Sequence, residues 1–133
     1  MTNEATLVLK RSEPVDFIVA DNTSIEKGTV CMLSGPRTAA ANSGTGDVHA
    51  GIARREKIAT DGRTRLSLFT GPGDIFRMTC AELAVTAGAM VTTSGPNQIR
   101  LATSAEQILG KVIGKVLEDI AAADTGEVML GGI

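Results

Sequence analysis

The residues of this chain that can do chemistry are few and far apart. His49 is the single histidine, set in the glycine-rich stretch 43–51. No G-x-S-x-G elbow accompanies it, so a Ser-His-Asp relay has no frame, and the ring reads as a solvated loop histidine. Cys31 and Cys80 are the only cysteines; with one His they do not supply the closely spaced ligands of a metal site. Glu118 and Asp119 are adjacent, so on a strand they point to opposite faces and cannot act as an acid/base pair. Gly44-Thr45-Gly46-Asp47 and Gly71-Pro72-Gly73-Asp74 look like pieces of phosphate loops. The first lacks its closing glycine and neither carries Lys-Ser/Thr, so both read as turns. The expectation is a protein that is not an enzyme: no catalytic residue, cofactor, metal ligand or small-molecule substrate.

One basic concentration exists, formed by Arg54, Arg55, Lys57, Arg63 and Arg65. On neighbouring strands these form a patch able to meet an acidic protein surface, but Glu56 and Asp61 sit among them, and a self-neutralised, solvated face is the simpler reading. The chain has 13 Lys+Arg against 15 Asp+Glu, a net charge of −2, which argues against nucleic-acid binding by phosphate neutralisation. The two halves differ: residues 1–70 hold nine basic and eight acidic residues (+1), and residues 71–133 hold four and seven (−3).

What must position these residues is a repeat. Ile25-Glu26-Lys27-Gly28-Thr29-Val30 and Ser34-Gly35-Pro36 return 60 positions later as Val85-Thr86-Ala87-Gly88-Ala89-Met90 and Ser94-Gly95-Pro96. The same offset pairs Val15 with Ile75, Ile18 with Met78 and Ala20 with Cys80. Downstream it slips by two or three, matching Gly51 with Gly114, Ile58 with Ile120, and Leu66 and Leu68 with Val128 and Leu130. Two units of about 60 residues predict one pseudo-symmetric domain whose halves close on each other, not an open solenoid. Short alternating runs bounded by glycine and proline make both units β: 16–20, 29–33, 51–54 and 64–69 in the first, and 74–79, 90–93, 99–101, 112–117 and 127–130 in the second. Gly28, Gly62, Gly88 and Gly126 read as turn glycines, and Pro36 and Pro96 as strand stops. Thr103 or Ser104 with Glu106 forms a capping-box signature for a single helical turn ended at Gly110.

The fold expected is therefore all-β, a small pseudo-twofold β-barrel or sandwich of two repeats (about 14–70 and 74–132) in a single domain over 14–133. An arm precedes it over 1–13. Its strand-like core, Thr6-Leu7-Val8-Leu9-Lys10, has no counterpart in the second half, so it either pairs with its own sheet or reaches a neighbour. Apolar residues make up 43% of the chain, yet there are three Phe and no Trp or Tyr, so the core is thin and suits a protein steadied by neighbours in an assembly. No apolar run approaches the roughly 18–20 residues needed to cross a bilayer, and the first residues lack a secretion signal's order. Cys31 and Cys80 occupy apolar repeat slots and read as buried free thiols.

Ile25-Glu26-Lys27-Gly28-Thr29-Val30, then Ile113-Gly114-Lys115-Val116-Leu117-Glu118 running into Ala121-Ala122-Ala123-Asp124-Thr125-Gly126-Glu127-Val128-Met129-Leu130, resembles the capsid decoration, or cement, proteins of tailed bacteriophages. The likeness spans about residues 14–132. It implies a structural virion protein, made in the host cytoplasm, that binds the capsid exterior and stabilises the shell. It also implies partners in the major capsid protein and in itself, as a homotrimer. Thr6, Leu7, Val8, Leu9, Lys10 and Arg11 are the candidate contacts by strand addition, joined by Arg54 and Arg55. The alternatives are a non-catalytic β-barrel that binds a ligand or partner, and, less fittingly, a β-clip enzyme, for which base and nucleophile are missing.

Overall fold

The computed structural model describes residues 3–11, 13–81 and 83–131; residues 1, 2 and 12 of the expected arm and 132–133 at the end of the second repeat lie outside them. The arm contributes β1 (Thr6–Leu9). The first copy contributes β2 (Val15–Ile18), β3 (Val30–Gly35), β4 (Thr38–Ala41), β5 (His49–Ala53) and β6 (Arg65–Phe69). The second contributes β7 (Ile75–Cys80), β8 (Met90–Thr93), β9 (Gln98–Leu101), helix α1 (Ser104–Ile108), β10 (Gly114–Val116) and β11 (Thr125–Leu130). No helix among the described residues is long and apolar enough to cross a membrane.

The protein is a two-repeat, all-β barrel fold, and closure happens within each copy. Barrel one closes in the order β2-β4-β3-β5-β6, and barrel two repeats it strand for strand as β7-β9-β8-β10-β11. Each ring is sealed by a short parallel pairing, Ile18 with Thr38 in one and Thr79-Cys80 with Gln98-Ile99 in the other. Sealing leaves each ring with few free edges. The Ser-Gly-Pro tripeptides serve as expected: Pro36 and Pro96 each sit in the hairpin turn after a strand, with Arg37 and Asn97 in the left-handed region (φ 51° and 59°). The strand β4 that follows Pro36 was not legible in the sequence, because its Thr-Ala-Ala-Ala run carries no β-branched or aromatic signal beyond one threonine.

Hydrogen bonding corrects the repeat alignment. Val19 N donates to Thr64 O as Cys80 N donates to Asp124 O, so β2 and β7 match at an offset of 61 and β6 and β11 at 60. Ile25 bridges Lys57 as Val85 bridges Ile120. Ile120 therefore corresponds to Lys57, not to Ile58, and Leu68 corresponds to Val128. Gly126 is also corrected: it lies inside β11 and not in a turn, and its missing side chain makes room for Ile120, whose Cγ1 would be 2.5 Å from an added Cβ. Gly28, Gly62 and Gly88 do turn the chain with positive φ (85°, 83° and 88°).

Two clusters form the interior. Val19, Ile25, Cys31, Ala39, Ala53, Leu66 and Leu68 fill barrel one. The larger cluster fills barrel two around Phe76, Met78, Val91, Ile99, Val116 and Val128, and also takes in Val30, Ile52 and Phe69 from the outer wall of barrel one. The barrels thus share an apolar interface. Phe69 meets Phe76 edge to face at 5.5 Å, and Asn97 Oδ1 accepts a buried hydrogen bond from Val30 N at 2.9 Å. The β4–β5 loop of barrel one lies on the β8–β9 turn, with Gly46 N donating to Thr93 O and Gly95 N to Gly44 O. Linker residues Gly71 and Gly73 are packed too, Gly73 N donating to Leu130 O.

Candidate functional site

The arm pairs with its own chain. Antiparallel β1 lies on β7, with Thr6 opposite Arg77, Leu7 opposite Phe76 and Leu9 opposite Ile75, and a bulge at Val8. Arg11 N donates to Asp74 Oδ1 at 2.5 Å and fixes the arm's end. β1 uses one edge and keeps the other as the outermost strand of its sheet. Leu7, Val8 and Leu9 are 40%, 46% and 48% exposed, so this edge is apolar as well as accessible. Between the arm and barrel one runs a groove of about 520 Å³ bordered by Glu4, Lys27, Arg54 and Phe76.

Strands β5 and β6 are neighbours, which places Arg54, Arg55, Arg63 and Arg65 on exposed stretches around them. Lys57 does not join them. It is wholly buried, and its Nζ donates to Asp21 O (2.9 Å), Ile58 O (3.3 Å) and Asp61 Oδ1 (3.2 Å). A lysine plugs the slot that Ile120 fills in barrel two, and the loop carbonyls and Asp61 satisfy its charge. Backbone N–H bonds from Arg63 and Ile58, with the Lys57 ammonium, hold the Asp61 carboxyl below its usual range. The patch is thus an arginine patch with one cation fewer than the sequence offered.

His49 is not a solvated loop residue. It opens β5 opposite Met32, and although the residue keeps some exposure, both ring nitrogens are shut away from solvent without a partner. Burial pulls its pKa down to about 4, so the ring is neutral at pH 7. Alternation between strand and loop was the only signal available, and it does not say which way a strand's first residue faces. Cys31 and Cys80 are free and buried as expected, and burial pushes the Cys31 thiol up to about 12, the opposite of a nucleophile's tuning. Among the described residues no three His, Cys, Asp or Glu side chains group as metal ligands.

Helix α1 carries another exposed apolar surface. Thr103 and Glu106 form the capping box, Thr103 N donating to Glu106 Oε1 at 2.9 Å and Glu106 N to Thr103 Oγ1 at 3.2 Å. Arg100 grips the same carboxylate with two bonds of 2.9 and 2.6 Å, holding it well below the ordinary range at about 2. A five-residue helix that buries none of its own residues is thereby pinned with Ile108 85% exposed and Leu109 64% exposed. Sequence reading found the cap but not the Arg100 clamp, which needs β9 and α1 brought together.

Neither a scan against protein-family models nor a search of curated proteins found a match for this chain.

Proposed function

We propose that this chain is a structural virion protein: it binds the exterior of an icosahedral phage shell through the major capsid protein, stabilises the shell, and does so as a homotrimer. The observation that carries this reading is the outer edge of β1. It is a strand already held in extended form by β7, with three consecutive apolar side chains turned to solvent. A preordered edge can accept or extend a neighbour's sheet through main-chain bonds, with alternate side chains adding selectivity. Such edges are usually blunted in free-standing proteins. The bulge at Val8 blunts this one only in part. The arginines at 54 and 55 supply a charged border for the same contact. Many copies on one shell let each contact be weak.

The test is co-sedimentation with purified shells that lack their decoration. Wild-type chain should pellet with the shells and raise their resistance to heat or chelation. A variant with Leu7, Val8 and Leu9 all changed to Ser should stay in the supernatant while keeping its circular dichroism. Wild-type chain that remains soluble beside such shells refutes the role, and unchanged binding by the serine variant refutes the edge as its instrument.

A further inference from the structure

Asp61-Gly62 is the single Asp-Gly pair of the chain, a dipeptide whose backbone can rearrange without an enzyme. The glycine nitrogen attacks the aspartic acid Cγ, the amide proton and the carboxyl O–H leave as water, and a succinimide ring closes. A second water opens the ring at either carbonyl. One opening restores aspartate; the other leaves isoaspartate, with Cβ and Cγ in the main chain. Glycine favours the step because no Cβ screens its nitrogen or restricts its backbone. Both residues are exposed in the connection between β5 and β6, Gly62 with a φ of 83°. Neither sequence nor exposure protects this pair.

The groups around it do. Asp61 Oδ1 accepts from Arg63 N at 2.9 Å and from Lys57 Nζ at 3.2 Å, and Oδ2 accepts from Ile58 N at 3.3 Å. Ring closure needs the carboxyl in its acid form, because the departing oxygen leaves as water, and it needs the side chain free to turn onto Gly62 N. The three donors oppose both: they favour the anion, and they tie both oxygens to backbone and side chain on either side of the pair. Gly62 N is held as well, donating to Asp21 Oδ1 at 2.8 Å. Thr60 N anchors the loop to the same residue through Asp21 O at 2.7 Å. Lys57 joins the two carboxylates, its Nζ bonded to Asp21 O and 3.6 Å from Asp21 Oδ1. Barrel two supplies the contrast. Thr60 N meets Asp21 O as Ala123 N meets Ala81 O, and Thr64 O matches Asp124 O, so residues 61–63 are an insertion found in barrel one alone. The copy that carries the Asp-Gly insertion has Lys57 in the slot; the copy without it has Ile120.

We propose that Asp61-Gly62 is a latent site of isoaspartate formation, locked in the folded chain by Lys57 and Asp21. The lock gives the buried lysine a purpose beyond filling its slot: it keeps an exposed loop chemically durable. Rearrangement would lengthen the main chain by one carbon and draw the Asp61 carboxylate away from Lys57, so damage at the surface would reach a buried ammonium. The inference stands apart from the virion role, and its test involves no shell.

The purified full chain is incubated at neutral pH for several weeks, and isoaspartate at position 61 is followed by peptide mapping with a fragmentation that tells the two linkages apart. A free peptide spanning residues 55–67 sets the unlocked rate. The wild-type chain should rearrange at least roughly tenfold more slowly than the peptide, the factor that one hydrogen bond to a charged group supplies. Lys57→Met and Asp21→Ala, each checked for folding by circular dichroism, should each move the rate towards that of the peptide. Because Lys57→Met also weakens the fold, Gly114→Ala serves as the control: it destabilises barrel two away from the loop and should keep the wild-type rate. A wild-type chain that rearranges as fast as the peptide overturns the proposal, as does either lock variant keeping the wild-type rate. A slower rate in Asp21→Ala would make Asp21 the base of the attack and overturn it too. Gly114→Ala rearranging as fast as Lys57→Met would trace the effect to global unfolding and likewise refute the lock.

Discussion

Acid should unfold this protein through one ring. His49 loses its ordinary pKa of 6.5 to burial and falls to about 4, while neither ring nitrogen finds a partner. A histidine with a lower pKa folded than unfolded binds fewer protons in the native state. Its stability contribution is therefore intact above pH 6.5 and erodes as pH falls, and the full penalty is reached below about 4. At 1.36 kcal/mol per pH unit the complete penalty is about 3 kcal/mol, and at a pH of about 4.5 the loss is about 2.5 kcal/mol. Against a typical total of roughly 5–15 kcal/mol this is a large share. Urea unfolding across the range, for wild type and His49→Leu, isolates the effect, because every carboxylate is common to both proteins. The leucine variant should be about 1 kcal/mol more stable at neutral pH, having shed a buried unpaired donor. It should decline with acid only as far as the shared carboxylates dictate, so that the gap between the curves widens by about 2.5 kcal/mol at a pH of about 4.5. Parallel curves for the two proteins between pH 6.5 and 4 would show that the ring is solvated in solution and that this account of β5 is wrong.

Other outcomes follow from the same contacts. Lys57→Met takes one donor each from Asp21 O and Ile58 O, which keep the backbone N–H of Thr60 (2.7 Å) and of Asp61 (3.3 Å). Breaking a buried pair costs about 3–5 kcal/mol, but the Asp61 and Asp21 side chains are 21% and 43% exposed and rehydrate, so a loss of about 2 kcal/mol is expected in urea unfolding. Ile120→Met, in the matching slot, should cost under about 1.5 kcal/mol; equal losses would mean the Nζ contacts contribute nothing. Glu106→Gln should speed amide exchange at 103–110 by roughly five-fold, about 1 kcal/mol, and leave the barrel amides unchanged. Because its folded pKa of about 2 lies below the ordinary 4.5, the wild-type clamp holds at pH 4.5 and above and is lost as pH falls towards 2; melting of α1 at pH 5 would contradict it. Gly114→Ala presses a methyl onto the Met129 and Leu130 backbone and should cost about 3 kcal/mol, whereas Gly88→Ala meets open space and costs only its left-handed backbone, about 1 kcal/mol. Thermal melts of the two variants check the order.

The β class, the repeat, the paired Ser-Gly-Pro turns, a helix cap at Thr103 or Ser104 and the buried thiols are all legible in the chain without its fold. Each is written in a period, a φ requirement or a local hydrogen bond, which a chain carries wherever it folds. Only the tertiary structure decided that each copy closes on itself, since closure depends on the Ile18–Thr38 and Cys80–Ile99 meetings across distant strands. It also decided that Lys57 turns inward, because Asp21, Ile58 and Asp61 surround a slot that composition reads as basic surface. The direction of His49 was settled the same way, by its pairing with Met32. The lock on Asp61-Gly62 was legible in neither form alone: the labile pair is written in the chain, but only the fold brings the Asp21 carboxylate to Gly62 N. A hydrogen bond between segments so far apart in sequence exists only once the barrel has closed around them.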